Sequence, residues 1–101
     1  MERTDVVILL KFDVEDDALN QQIPREISRQ EIFCRVRSAT QTEWDIAAKE
    51  GLRADYQITV GMEEYSGEQI AIFRDQRELI YRTYEKNGEE MELHLGRKVG
   101  I

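Results

Sequence analysis

The residues whose types could do chemistry are few and poorly placed for it. Four carboxylates, Asp13, Glu15, Asp16 and Asp17, fall within five positions, as they would in a calcium loop. Such a loop needs a glycine at its sixth position for the sharp turn and a bidentate glutamate at its twelfth. Counted from Asp13, those places hold Ala18 and Pro24, so the acidic run is expected to be solvated and free of metal. The single His and single Cys offer neither HxxxH nor CxxC spacing, which leaves carboxylates alone as ligands. A Ser–His or Cys–His nucleophile would have to use His94. That residue sits between Leu93 and Leu95, on the strand face of Glu92, and reads as an outward-facing strand residue. Cys34, between Phe33 and Arg35, reads as a small core hydrophobe. The pairs Glu63-Glu64 and Glu89-Glu90 border turns and read as solvated. No glycine-rich phosphate loop occurs. No catalytic, cofactor-binding or metal residue is therefore expected, and the chain is not expected to be an enzyme.

The elements that must position these residues are those of one small domain spanning residues 1–101. Hydrophobic residues make up 41% and charged ones 35%, too apolar a mixture for disorder. The longest apolar run, Val6 to Leu10, is far too short to cross a bilayer. Met1 to Asp5 lacks the basic-then-apolar pattern of a signal peptide. The lone Cys34 cannot form an internal disulfide, so assembly in a reducing cytoplasm is expected. The net charge is −7 and the cations are scattered. Their one loose group, Arg25, Arg29, Arg35 and Arg37, is interrupted by Glu26 and Glu31, which disfavours tight general binding to nucleic acid.

Alternation predicts a strand over Asp5 to Phe12, with Val6, Ile8, Leu10 and Phe12 on one face and Val7, Leu9 and Lys11 on the other. Apolar residues on both faces imply a central, well-covered strand. The acids from Asp13 onward end it, and a polar loop reaches Pro24. A second strand runs from Glu31 to Arg37, with Ile32, Cys34 and Val36 inward. Thr40-Gln41-Thr42-Glu43 is a capping box that opens a helix of about three turns, stopped at Gly51. Trp44, Ala47, Ala48 and Leu52 share its predicted core face. The remainder alternates as strands: Tyr56 to Val60, then Gln69 to Phe73 and Leu79 to Tyr84 around a polar turn at Arg74 to Arg77. A last strand follows the hairpin signal Asn87-Gly88. The expected fold is mainly β, a small barrel or two-sheet sandwich of about six strands, with one short helix between the second and third strands.

That ordered series resembles the phage head–tail joining, or head-closure, family, which includes the stopper proteins of long-tailed siphophages. The likeness lies in the strand Ile32-Phe33-Cys34-Arg35-Val36, the step Ser38-Ala39-Thr40 and the helix Glu43 to Gly51. It continues through Asp55 to Val60, a strand pair ending in Leu79-Ile80-Tyr81-Arg82, and the closing Leu95-Gly96-Arg97. The chain departs from the family in the polar turn Arg74 to Arg77, which lacks a glycine, and in a longer, more acidic loop, Asp13 to Gln30.

The resemblance implies a barrel-like structural subunit that docks beneath a portal or adaptor ring. There it forms a ring that continues or closes the DNA channel and offers a docking surface to a tail-completion protein. It also implies that the segment between the second and third strands reaches the lumen; the matching residues are Ser38, Thr40, Glu43, Trp44, Lys49 and Arg53. It carries no catalytic residue, cofactor or membrane contact. The expected place is the virion, after assembly in the cytoplasm of a bacterial host, with DNA passing through without specific binding.

The expected subunit-contact loop comprises Asp13, Glu15, Asp16, Asp17, Arg25 and Arg29. It is polar and like-charged, so it is expected to be mobile until a neighbour orders it. The free chain is expected to be largely monomeric and to close into a ring on a preformed template. The alternative from another class is a nucleic-acid-binding barrel of OB or SH3-like type, hinted at by Tyr81-Arg82-Thr83-Tyr84 but opposed by Glu78, Glu85 and the total charge.

Overall fold

A computed structural model gives the fold and describes residues 5–98. The part of the N-terminus read for a leader, residues 1–4, lies outside the described residues. Six antiparallel strands form one sheet: β1 (Asp5–Asp16), β2 (Gln22–Ser38), β3 (Leu52–Gly61), β4 (Ile70–Phe73), β5 (Gln76–Lys86) and β6 (Glu90–Lys98). The order β1-β2-β3-β6-β5-β4 closes into a barrel through the β1–β4 pairing. The single helix, α1 (Gln41–Lys49), lies between β2 and β3, and a 3-10 turn, Met62–Glu64, follows β3. The mainly β fold and the placement of its helix are as the sequence predicts.

Alternation explains the core. Val7 and Leu9 of β1, Cys34 of β2, Ile58 and Val60 of β3, Ala71 and Phe73 of β4, and Leu93 and Leu95 of β6 are fully or nearly fully buried together. Each large aliphatic or aromatic side chain buried this way contributes about 1.5–3 kcal/mol. Tyr56 meets Phe73 edge to face, with centroids 5.3 Å apart. A smaller core forms outside the barrel, where Ala47 of α1 covers Leu52 and Ala54, with Ala39, Leu79 and Tyr81 around them. Gly96 belongs here because a Cβ would lie 2.9 Å from the Arg53 carbonyl oxygen and 3.2 Å from the Tyr81 ring.

Four expectations need correction. The stretch from Asp13 to Pro24 is not a loop. β1 and β2 continue past the barrel as a hairpin arm, with Asp13 opposite Arg25 and Asp16 opposite Gln22. Pairing brings cations across from the acids, as when Arg25 donates to Glu15 at 2.9 Å, so the like charges need not repel the chain into disorder. Asp17 closes the turn by accepting from the N–H groups of Leu19 and Gln21, both at 2.8 Å.

β1 is central, paired to β2 and β4, but the face that carries Val6 is only partly covered: Leu10 is buried, whereas Val6 and its cross-strand neighbour Phe33 are exposed. Trp44 is 46% exposed and Ala48 is exposed, because α1 turns Glu43 and Ala47, not its tryptophan, toward the barrel. The turn after β4 is only Arg74-Asp75, both at positive φ, with Phe73 paired to Gln76. Glu78 is thereby inside a strand. Asn87-Gly88, by contrast, makes the hairpin its letters predict, with both residues at positive φ.

Candidate functional site

Two ends of the barrel carry the polar chemistry. The starts of β1 and β3, the β4–β5 turn and the end of β6 meet at one end; the arm leaves from the other. At the first end an open hollow of about 360 Å³ is lined by Arg53, Asp55, Tyr56, Phe73, Arg74, Gln76, Glu78 and Arg97. Arg97 donates through Nε to Asp55 at 2.6 Å and lies 3.6 Å from Glu78 Oε2. Glu78 is 2% exposed, and its Oε2 has no hydrogen-bond partner among the described residues. Burial and the adjacent Asp55 push its carboxyl up to about 8, against the pull of Arg97. Glu78 thus holds its proton well above the usual carboxylate range. Arg74 stacks over Tyr56 and Phe73 and lies 3.4 Å from Asp5, while Arg53 lies over Trp44.

A second cluster lies outside the barrel, beneath the start of α1. Register places Arg37, Gln57, His94 and Arg82 in one row across β2, β3, β6 and β5. Glu43 reaches down onto that row. It accepts from Arg37 at 2.9 and 3.0 Å, and His94 Nδ1 lies 3.1 Å from its Oε2. Its Oε1 also accepts from the Thr40 N–H at 2.8 Å, completing the capping box. Burial alone would raise the Glu43 carboxyl, but Arg37, the Thr40 N–H and His94 together hold it at about 2. Burial lowers His94 more strongly than Glu43 and Glu92 raise it, so the imidazole is neutral at pH 7.

The residues expected at the lumen therefore separate. Ser38, Trp44, Lys49 and Arg53 are exposed, and Thr40 caps the helix. Glu43 is not available to a lumen, because it is buried as the clamp on Arg37 and His94. His94 points away from the barrel interior as predicted, but it is covered, stacked edge-on with Tyr81 at 6.1 Å. Cys34 is buried in the barrel core. The expected contact residues Asp13, Glu15, Asp16, Asp17, Arg25 and Arg29 all belong to the β1–β2 hairpin, with Arg29 paired to Glu26 at 3.0 Å.

Sequence reasoning passed over Glu68, whose buried carboxylate accepts from the Gln30 side chain and from the Ser66 N–H. It also missed the Asp55–Glu78–Arg97 group. A two-residue turn at Arg74-Asp75 would have placed Glu78 in β5, but neither residue is the glycine that usually marks such a turn. Among the described residues no group of three or more His, Cys, Asp or Glu side chains is arranged to hold a metal ion. No helix among them is long and apolar enough to cross a membrane. No protein-family model matches the chain, and no curated protein matches it significantly.

Proposed function

We propose that this chain is a structural subunit of a phage head–tail connector. It would dock beneath a portal or adaptor ring, associate there with further copies of itself, and continue or close the DNA channel above a tail-completion protein. The observation that carries this reading is the arm. A closed barrel has no free edge by which to join a neighbour, yet this one extends a hairpin on which Val14, Leu19 and Ile23 are exposed among the described residues. Apolar residues held outward on a separate arm fit a subunit that completes its packing only in an assembly. The order of elements, with the helix between the second and third strands, is the one the family resemblance implies. A net charge of −7 suits a channel that phosphate must pass without sticking.

The nucleic-acid-binding alternative is weakened by the outer sheet face. Arg35 pairs with Glu90 at 2.6 Å, Arg37 with Glu43, and Lys86 lies 3.9 Å from Glu92, so these cations are already neutralised. Co-sedimentation with the portal and adaptor rings of the same phage tests the proposal. The chain is expected to join one of them; failure to join any connector ring, with salt-sensitive binding of oligonucleotides instead, would favour the alternative.

A further inference from the structure

We propose that the arm tip of one copy seats in the arginine-lined hollow at the far end of the next copy's barrel, resting on the reading above that copies of this chain associate. The two surfaces lie at opposite ends of the same molecule. β1 begins at Asp5 beside Arg74, at the rim of the hollow, and runs away from it into the arm. Beyond Phe12 the hairpin pairs only with itself, and it reaches roughly 15–20 Å further at the usual rise per residue.

The tip and the hollow match in charge. Asp16 and Asp17 flank a turn whose Leu19 is 77% exposed, and no Lys or Arg occurs between Asp13 and Pro24. In the hollow, Arg53, Arg74 and Arg97 stand with Asp55 and Glu78, and Asp5 lies at the rim on Arg74. The hollow is therefore close to neutral in a chain of net charge −7, and the Arg53 and Arg74 side chains are more than half exposed, so an acidic tip meets accessible cations there. Size fits as well: about 360 Å³ is within the roughly 300–1,000 Å³ of sites that enclose a small group. The ring of Tyr56 offers an apolar wall for Leu19.

Edge pairing is the less suitable route, because the β2 edge carries Pro24, a bulge near Ile27 and alternating Arg25, Glu26, Arg29 and Glu31, features that deter strand addition. A contact between opposite ends leaves each copy with one tip and one hollow free for further copies, so it propagates into a ring or a filament.

The test uses charge reversal at two exposed positions in the full chain, Asp16→Lys on the arm and Arg53→Glu at the hollow. Sedimentation at low salt and high protein concentration should show weak self-association of the parent chain. Each variant should weaken it about tenfold, and an equimolar mixture of the two should restore it. A parent chain that stays monomeric under those conditions, or variants that associate as the parent does, would overturn the contact. Binding to the portal or adaptor ring is measured in parallel. If the chain joins the ring but charge reversal has no effect on self-association, the contact fails and the connector reading stands. If the mixture restores self-association but no ring is joined, the connector reading fails and the contact stands.

Discussion

Glu43 fastens three parts of the chain at once: the first turn of α1 through Thr40, β2 through Arg37, and β6 through His94. Its folded carboxyl titrates near 2, against 4.5 for an unperturbed glutamate. The stability it supplies is therefore fully present above about pH 4.5 and drains away as pH falls toward 2, roughly 3 kcal/mol in all. Urea midpoints between pH 7 and pH 2.5 should show this slope, and Glu43→Gln should flatten it while lowering the midpoint at pH 7. Glu78 acts in the opposite sense. Its folded carboxyl keeps a proton that the unfolded chain has released, so the fold loses stability as pH rises from about 5 toward 8. Glu78→Gln should remove that decline and raise the thermal midpoint at pH 8.5. Trp44 behaves as a surface residue: Trp44→Ala should cost about 1 kcal/mol or less, mostly the stacking of Arg53, and native fluorescence should be that of a partly hydrated indole.

Among the elements, the arm is the one whose loss the barrel should tolerate. Its cross-strand pairs continue the β1–β2 register without adding to the core, and Gln69 closes the exposed β1 edge at Phe12, accepting from its N–H at 2.9 Å and donating to its carbonyl oxygen at 3.0 Å. Replacing residues 14–24 by Asn-Gly between the paired Asp13 and Arg25 should leave stability within about 1 kcal/mol of the parent chain. Denaturant unfolding checks this, and a large loss would mean that the arm supports the barrel. The same excision should abolish assembly. The helix is the converse case: it is short and exposed on most faces, yet Ala47 and Glu43 seal the outer side of β3 and β6.

The whole molecule is polarised. Arg53, Arg74, Arg97 and Lys98 gather at the hollow end, while the arm, the Glu63-Glu64 turn and Glu89-Glu90 make the opposite end acidic. With principal extents of 49 × 31 × 25 Å, the charge separation lies along an elongated body. Such a body is oriented by the field of a charged template before contact, an effect that fades as salt shortens the Debye length to about 10 Å at 0.1 M. The barrel buries its own core, and the exposed apolar residues Val14, Leu19, Ile23 and Ile27 are spread along a narrow arm, so the chain at micromolar concentration and physiological salt should sediment as an elongated monomer. A stable ring under those conditions would show that no template is needed.

What the sequence determined by itself was local. The period-two alternation picked out Cys34 as inward and His94, between Leu93 and Leu95, as outward, and it separated Val7 and Leu9 from Val6 and Ile8 without saying which face was the core; Thr40 with Glu43 marked the start of the helix. Asn87-Gly88 marked a hairpin because both positions require positive φ. These features rest on residues a few positions apart, whose conformational preferences survive folding. Tertiary structure decided everything that depends on a distant partner. The acids of Asp13 to Asp17 looked like a repelling run until β2 laid Arg25 across from Asp13. Trp44 looked like an anchor until strand pairing set His94 and Arg37 beneath the other face of α1. Glu78 counted only as a charge beside Tyr81-Arg82 until β3 and β6 brought Asp55 and Arg97 around it. Alternation tells a side chain which face it occupies. Only the register of a closed barrel tells it what lies on that face, and burial and charge follow from the neighbours, not from the residue.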